Sequence, residues 1–333
     1  MAGPYREKIF GVALKIQPVP GTDAVPAVAN GLRVVGISTL KWDFMEPGER
    51  EDVISGQLGT VERTDAAGRW GALDVVLEAK GAGAAYAVGV VEPECDVLLR
   101  IAGMVRTFIA TALSESVLYT TADNGFEIAS CYCWSAGKLF KLIDCVATLK
   151  FTAEAGKRGF FSATITGLMR SDPIEAALPA LTFSSVKPPL FHTSVATIGA
   201  WSSAAAADPL VLKDLSIDFQ NSVVDRPSAG ALDGLAGYLI ADRKVRQEMT
   251  IEVPALATFD APALAKATGT NLPLSAWQHG QAQYNRMKGQ TGRWQLVAPG
   301  GGAVKSINTY KLAGGLVIGA APTSLREINF LFD

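Results

Sequence analysis

The side chains best suited to acid–base, nucleophilic or metal chemistry are scarce in these 333 residues: two histidines, His192 and His279, and four cysteines, Cys95, Cys131, Cys133 and Cys145. A serine or cysteine triad needs a histidine beside the nucleophile. His192 follows Pro188-Pro189 in a turn-rich stretch, and His279 lies in the polar run AWQHGQAQY, which reads as a surface or interface strand. Cys131 and Cys133 are spaced C-x-C in a strand-like segment. Metal knuckles use wider gaps with further ligands nearby, so buried free thiols are expected. No Walker loop, H-E-x-x-H or G-x-S-x-G is present, and Gly300-Gly301-Gly302 after Pro299 is a turn signal without a strand–helix context. With 32 acidic residues, carboxylate pairs can be chosen anywhere and carry no specificity. Aromatic and basic residues mix at Tyr284–Lys288 and Arg293-Trp294, which reads as interface rim or ordinary surface. The expectation is a chain that is not an enzyme and has no cofactor or metal.

What positions so little chemistry must then be the point of the chain. Hydrophobic residues make up 49% and charged residues 19%, below the usual quarter, so surface beyond a monomer's core is expected to be covered. The net charge of −2 gives no basic field for nucleic acid. The longest apolar run, Val97–Leu113, is interrupted by Arg100 and Arg106, so no membrane partner is expected. MAGPYREK lacks a signal-peptide apolar region, and the chain reads as cytoplasmic at synthesis.

One unit occurs twice. Leu40, Trp42 and Phe44 alternate with Lys41 and Asp43, and Val75 and Leu77 with Asp74 and Glu78, around the connection Met45–Ala72. Leu215, Ile217 and Phe219 alternate with Ser216 and Asp218, and Met249, Ile251 and Val253 with Glu248, Thr250 and Glu252, around a Gly-rich connection. Phe44 to Phe219 is 175 residues and Leu77 to Ile251 is 174, a duplication signal. Long connections in compact domains are uncommon unless they have a role.

Around these units the chain reads as β-rich. An extended arm follows the opening strand Ile9–Ile16. A helix is predicted from Pro93, with Val97, Leu98, Ile101, Val105 and Phe108 as its stripe. Asp260 is the N-cap candidate of its counterpart. Asp123-Asn124-Gly125 predicts a hairpin joining Ser116–Thr121 to Phe126–Trp134. Leu139–Ala153 and Gly159–Leu168 read as a further antiparallel pair, and Ser171–Pro189 as a linker. The fold class expected is mainly β with minor α: two tandem antiparallel β-sandwich or half-barrel domains, 1–180 and 181–333, each with one helix and a long loop.

The segments Lys15–Pro26 (KIQPVPGTDAVP) and Ala29–Gly36 (ANGLRVVG) resemble the opening of phage tail tube (major tail) proteins, with Val-Pro in place of the more usual Pro. The order of strand, long loop, strand, helix and hairpins is similar to that family too, and the duplication resembles the two-domain type of long-tailed phages. The resemblance implies a structural virion protein, made in the host cytoplasm and placed in the tail. Its copies would form rings that stack into the tube through which DNA is ejected. Two domains per chain and six per ring give a homotrimer with pseudo-sixfold symmetry. The implied partners are the chain itself and the tail terminator, tape-measure and distal tail proteins, with DNA passing the lumen without specific binding. The alternative is a related tube or baseplate-hub β-sandwich protein of a phage or secretion-type injection machine. On this resemblance the long connections supply ring-to-ring contacts through Glu46, Glu49, Arg50, Glu51 and Asp52, and through Asp225, Arg226 and Asp233. Lumen-facing candidates are Asp43, Asp74, Glu78, Asp218, Glu248 and Glu252, because an acidic wall repels phosphate.

Overall fold

The computed structural model describes residues 10–36, 39–44, 69–204, 210–231, 234–268, 272–297, 300–304, 307–317 and 327–333. Within them the chain is mainly β. The first part holds β1 (Phe10–Ile16), β2 (Gly31–Leu32), β3 (Thr39–Phe44), β4 (Arg69–Glu78), α1 (Asp96–Ile101), β5 (Met104–Ile109), β6 (Ser116–Thr121), β7 (Ala129–Ser135), β8 (Lys138–Glu154), β9 (Phe160–Leu168) and β10 (Ile174–Glu175). The second holds β11 (Ala196–Ile198), β12 (Trp201–Ser202), β13 (Leu212–Asp218), β14 (Ser222–Pro227), β15 (Leu235–Asp242), β16 (Arg246–Glu252), α2 (Ala261–Ala265), β17 (Leu274–His279), β18 (Met287–Leu296), β19 (Gly300–Val304), β20 (Ile307–Val317) and β21 (Ile328–Phe332).

All strand pairings are antiparallel, and one chain of pairings occurs twice. In the first part β2, β1, β7, β8, β9, β4 and β3 are linked in that order, with β10 also on β8. In the second β12, β11, β17, β18, β20, β16 and β13 are linked in the same order, with β21 on β18. Two ladders join the parts: β8 pairs with β13, and β6 with β21. The result is one long sheet, β3–β4–β9–β8–β13–β16–β20–β19. On one face the β14–β15 hairpin packs through Leu235 on Ile143 and Leu168, which share the phase of Thr164 and Thr166. Most remaining strands form a layer over the other face.

Period-two alternation decides that face. Leu73, Val75, Phe161, Ile165, Leu149, Phe151, Leu215, Ile217, Met249, Ile251 and Leu312 all point to the same side and are buried. Across the core Trp277 of β17 stacks on Phe151 with ring centroids 5.0 Å apart, and Phe330 of β21 meets Phe161 at 5.9 Å. Aromatic pairs in such arrangements add to the stabilisation from area burial alone.

The seventeen-residue β8 serves both layers. Its first half pairs with β7 and its second with β9, and the register shifts between Ile143 and Val146. The bend is a bulge at Asp144, whose φ is +52°. Gln17 brackets it: its Oε1 accepts from the Asp144 amide at 2.7 Å, and its Nε2 donates to Oδ1 at 3.1 Å. The Gly21 amide donates to the same Oδ1 at 2.7 Å, so the proline-rich arm is pinned to the bulge.

Four expectations need correction. The helix from Pro93 is short: Gly103 at φ +90° ends α1, with Ala102 and Gly103 donating to Leu98 and Arg100 carbonyls. Val105 and Phe108 belong to β5, because beyond the glycine the chain is extended. The Asn124-Gly125 turn does not make a hairpin. β6 pairs with β5 and β21, while β7 pairs with β1 and β8, so the turn carries the chain from one sheet to another. The second long connection is not a plain loop either. β14 and β15 form a hairpin in it, with Leu235 packed on Ile143 of β8 and Leu168 of β9. α2 is capped as expected, Asp260 Oδ1 accepting from the Ala263 amide at 2.9 Å.

The fourth correction concerns His279, read as a surface or interface residue but 0% exposed within its own chain. Ser275, Trp277 and His279 alternate inward along β17, and the imidazole packs between Phe151 and Phe191. Trp294, read from the sequence as interface rim or ordinary surface, is likewise fully buried. Burial pushes the His279 imidazole down to about 4. It is neutral in the folded chain, whereas an unfolded chain binds its proton below about pH 6.5. The associated stability is therefore complete above pH 6.5 and falls as pH drops towards 4. Between pH 7 and pH 4.5 the wild type is expected to lose about 2–3 kcal/mol more than His279→Phe, read from urea midpoints at both pH values. Equal losses would mean that His279 does not stay neutral.

Candidate functional site

Among the described residues, the face of the long sheet opposite that layer gathers the polar side chains, with the β14–β15 hairpin over one end of it. The ladder aligns Asp74 with Thr39 and Thr164, Thr148 with Thr164, and Lys150 with Ser162 and Asp218. It continues through Asp218 opposite Arg246, Ser216 opposite Glu248, and Thr250 opposite Lys311. Strict alternation keeps every one of these on a single face. All six lumen-facing candidates, Asp43, Asp74, Glu78, Asp218, Glu248 and Glu252, are on it. Glu154 and Asp214 join them. Lys41, Lys150, Arg246 and Lys311 share the face, and Lys213 and Arg158 reach its carboxylates, so among the described residues these eight carboxylates stand against six cations.

Local contacts orient these groups. Thr164 Oγ1 donates to Asp74 at 2.6 Å and Thr250 Oγ1 to Asp214 at 2.8 Å. Arg246 and Lys311 each reach Glu248 at 3.2 Å. Arg158, from the β8–β9 turn, pairs with Glu78 at 2.5 Å, which makes Glu78 the most buried of the six. Lys213, at the β13 bulge, reaches Glu252 at 3.2 Å. A depression of about 320 Å³ on this face is lined by Asp74, Val76, Thr148, Lys150, Ser162 and Asp218 among others. Short hydroxyls and ion-paired carboxylates thus make up much of this face.

Sequence reasoning missed the threonine and serine rows of β8 and β9. Their signal was present in the alternating Thr148, Lys150, Thr152, Glu154 and Ser162, Thr164, Thr166. Of the contact-loop candidates, Asp225 and Arg226 are exposed on β14. Their hairpin rests on β8 and β9 of its own chain, where Arg170 Nη2 also donates to the Leu235 carbonyl at 3.2 Å. Glu46, Glu49, Arg50, Glu51, Asp52 and Asp233 lie outside the described residues.

The long sheet ends in two strands that pair on one side only among the described residues, β3 with β4 and β19 with β20. Because neighbours alternate in direction, β3 and β19 run oppositely. The four cysteines are buried free thiols. Burial raises Cys131 and Cys145 far above the usual thiol range, so they are poor nucleophiles. Among the described residues no group of three or more His, Cys, Asp or Glu could hold a metal ion. Compared with known protein families and with curated proteins, the chain matches no family model and no curated sequence.

Proposed function

We propose that the chain is a structural virion protein that polymerises into the stacked rings of a phage tail tube, the conduit for DNA. One observation carries the reading. The same chain of pairings occurs twice, side by side in one sheet, and among the described residues that sheet ends in two strands of opposite direction, each in a ladder on one side. The first and second parts are then two copies of a tail-tube-like domain with their boundary in the linker. Exposed edges pair with other chains unless protected. A head-to-tail contact that closes makes a ring, and three chains supply six domains. The acidic face becomes the lumen wall. The tail terminator, tape-measure and distal tail proteins are the further partners this reading implies.

Negative-stain microscopy of the purified protein tests it. Rings or tubes with threefold averages are expected; dispersed single chains at high concentration would remove the reading. The wall has its own test. Asp218→Lys with Glu252→Lys is expected to leave polymers intact but make them retain DNA, with binding about tenfold tighter at low salt and lost as salt rises. Cosedimentation of a DNA fragment with polymers reads this, and unchanged DNA binding would place the acidic face outside the lumen.

A further inference from the structure

The seam inside the chain carries information about the seam between chains. β3, β4 and β9 have the pairings of β13, β16 and β20, and β8 those of the β18–β19 run. With Asp43 matched to Asp218 by the 175-residue repeat, register fixes the rest of the correspondence. Asp43 stands opposite Trp70 as Asp218 stands opposite Arg246, and Trp70 faces Leu168 as Arg246 faces Gly315. Counting along β9 and β20 equates Ser162 with Thr309. Lys150 faces Ser162 and Gly302 faces Thr309, so Gly302 occupies the place of Lys150. Within the chain, Asp218 lies opposite Lys150.

The second layer treats the two seams differently. Inside the chain the β5–β6 hairpin reaches over the seam and β6 pairs with β21, from Val117 opposite Phe332 to Thr120 opposite Asn329. β10 is the first part's counterpart of β21. The connection from α2 to β17 spans Lys266–Pro273 and is too short to hold two six-residue strands. Among the described residues, therefore, no counterpart of β6 covers β10 of a neighbour.

Resting on the reading above, we propose that β3 of one copy pairs antiparallel with β19 of the next, with Asp43 opposite Gly302 and Lys41 opposite Val304. This seam is held in one layer, whereas the seam within the chain is held in two. The partner is a second copy of this chain, and the ring opens between chains.

Two measurements test it. Asp43→Cys chains copolymerised with Gly302→Cys chains should give a covalent dimer on oxidation. Asp43→Cys with Gly300→Cys should give about tenfold less, because a two-residue slip separates the Cα atoms beyond disulfide reach. In wild-type polymers the β3 amides should gain protection on assembly yet exchange about tenfold faster than those of β13. Polymers that cross-link only off register, or in which β3 is as protected as β13, overturn the proposal and leave tube assembly standing. Should cysteine variants fail to copolymerise, exchange in the wild type decides alone. Wild-type protein that never assembles overturns both.

Discussion

Of the two variants Gly301→Pro and Gly302→Pro, one is expected to abolish polymerisation while leaving the monomer's melting temperature within a few degrees of wild type. β19 pairs with β20 on one side only among the described residues, and amides of consecutive strand residues point to opposite sides. One of the two glycines thus aims its N–H at β20 and the other at the outer edge. Both are exposed, and neither has a positive φ. A Cβ at Gly301 meets nothing within 4 Å, and one at Gly302 touches only Thr309 Oγ1 at 3.6 Å. Proline at the outward position removes a donor that only another chain would use, which is why edge strands tolerate it. Losing ladder bonds at net values near 1 kcal/mol each, with the ring's steric block, raises the critical concentration about 100-fold. Proline at the inward position costs about 3 kcal/mol of monomer stability instead. Sedimentation with microscopy reads assembly and circular dichroism reads melting. Wild-type tubes from both variants would show that β19 is not an assembly edge.

The repeat behind this prediction was legible because duplicated strands keep their two-residue alternation while their sequences diverge. Asp43 and Asp218 sit at equivalent places on the shared face, but the ladders then match Asp74 with Thr250, two residues from the Glu248 that the 174-residue spacing of Leu77 and Ile251 implies. What alternation does not encode is which strand lies beside which. Nothing local to Asp218 says that Lys150 is its neighbour, since the β8–β13 ladder is a long-range contact. The same blindness explains the Asn124-Gly125 turn. Its chemistry suits a hairpin, yet the partners of β6 and β7 come from opposite ends of the chain. α1 was overextended because Val97, Ile101 and Val105 keep helical spacing across Gly103, where a positive φ redirects the backbone. His279 misled through composition: its neighbours in sequence are polar, but its own position falls on the inward phase set by Trp277.

Lys80→Ala is expected to cost the folded monomer about 3–5 kcal/mol, the usual effect of orphaning one member of a buried ion pair. Lys80 is 2% exposed at the end of β4, with its ammonium 2.8 Å from Glu94 Oε2 and 3.1 Å from the Ser184 carbonyl. Glu94 Oε1 accepts from the Arg33 amide at 2.6 Å. One cation thus ties together the entry to α1, the N-terminal arm and the linker between the two parts. Truncation leaves the Glu94 carboxylate buried without its counter-charge and the linker carbonyl without a donor. The exposed pair Lys157–Glu154 is the contrast, and Lys157→Ala should change stability by less than about 0.5 kcal/mol. Lys80→Met combined with Glu94→Gln separates the causes. If the penalty is the stranded charge, the double variant recovers more than half of the loss, since the introduced amide keeps an oxygen for the Arg33 N–H and the thioether chain fills the lysine stem's volume. Urea unfolding of the unassembled protein measures all three. A double variant no more stable than Lys80→Ala would assign the loss to the Ser184 contact and packing rather than to the unpaired carboxylate.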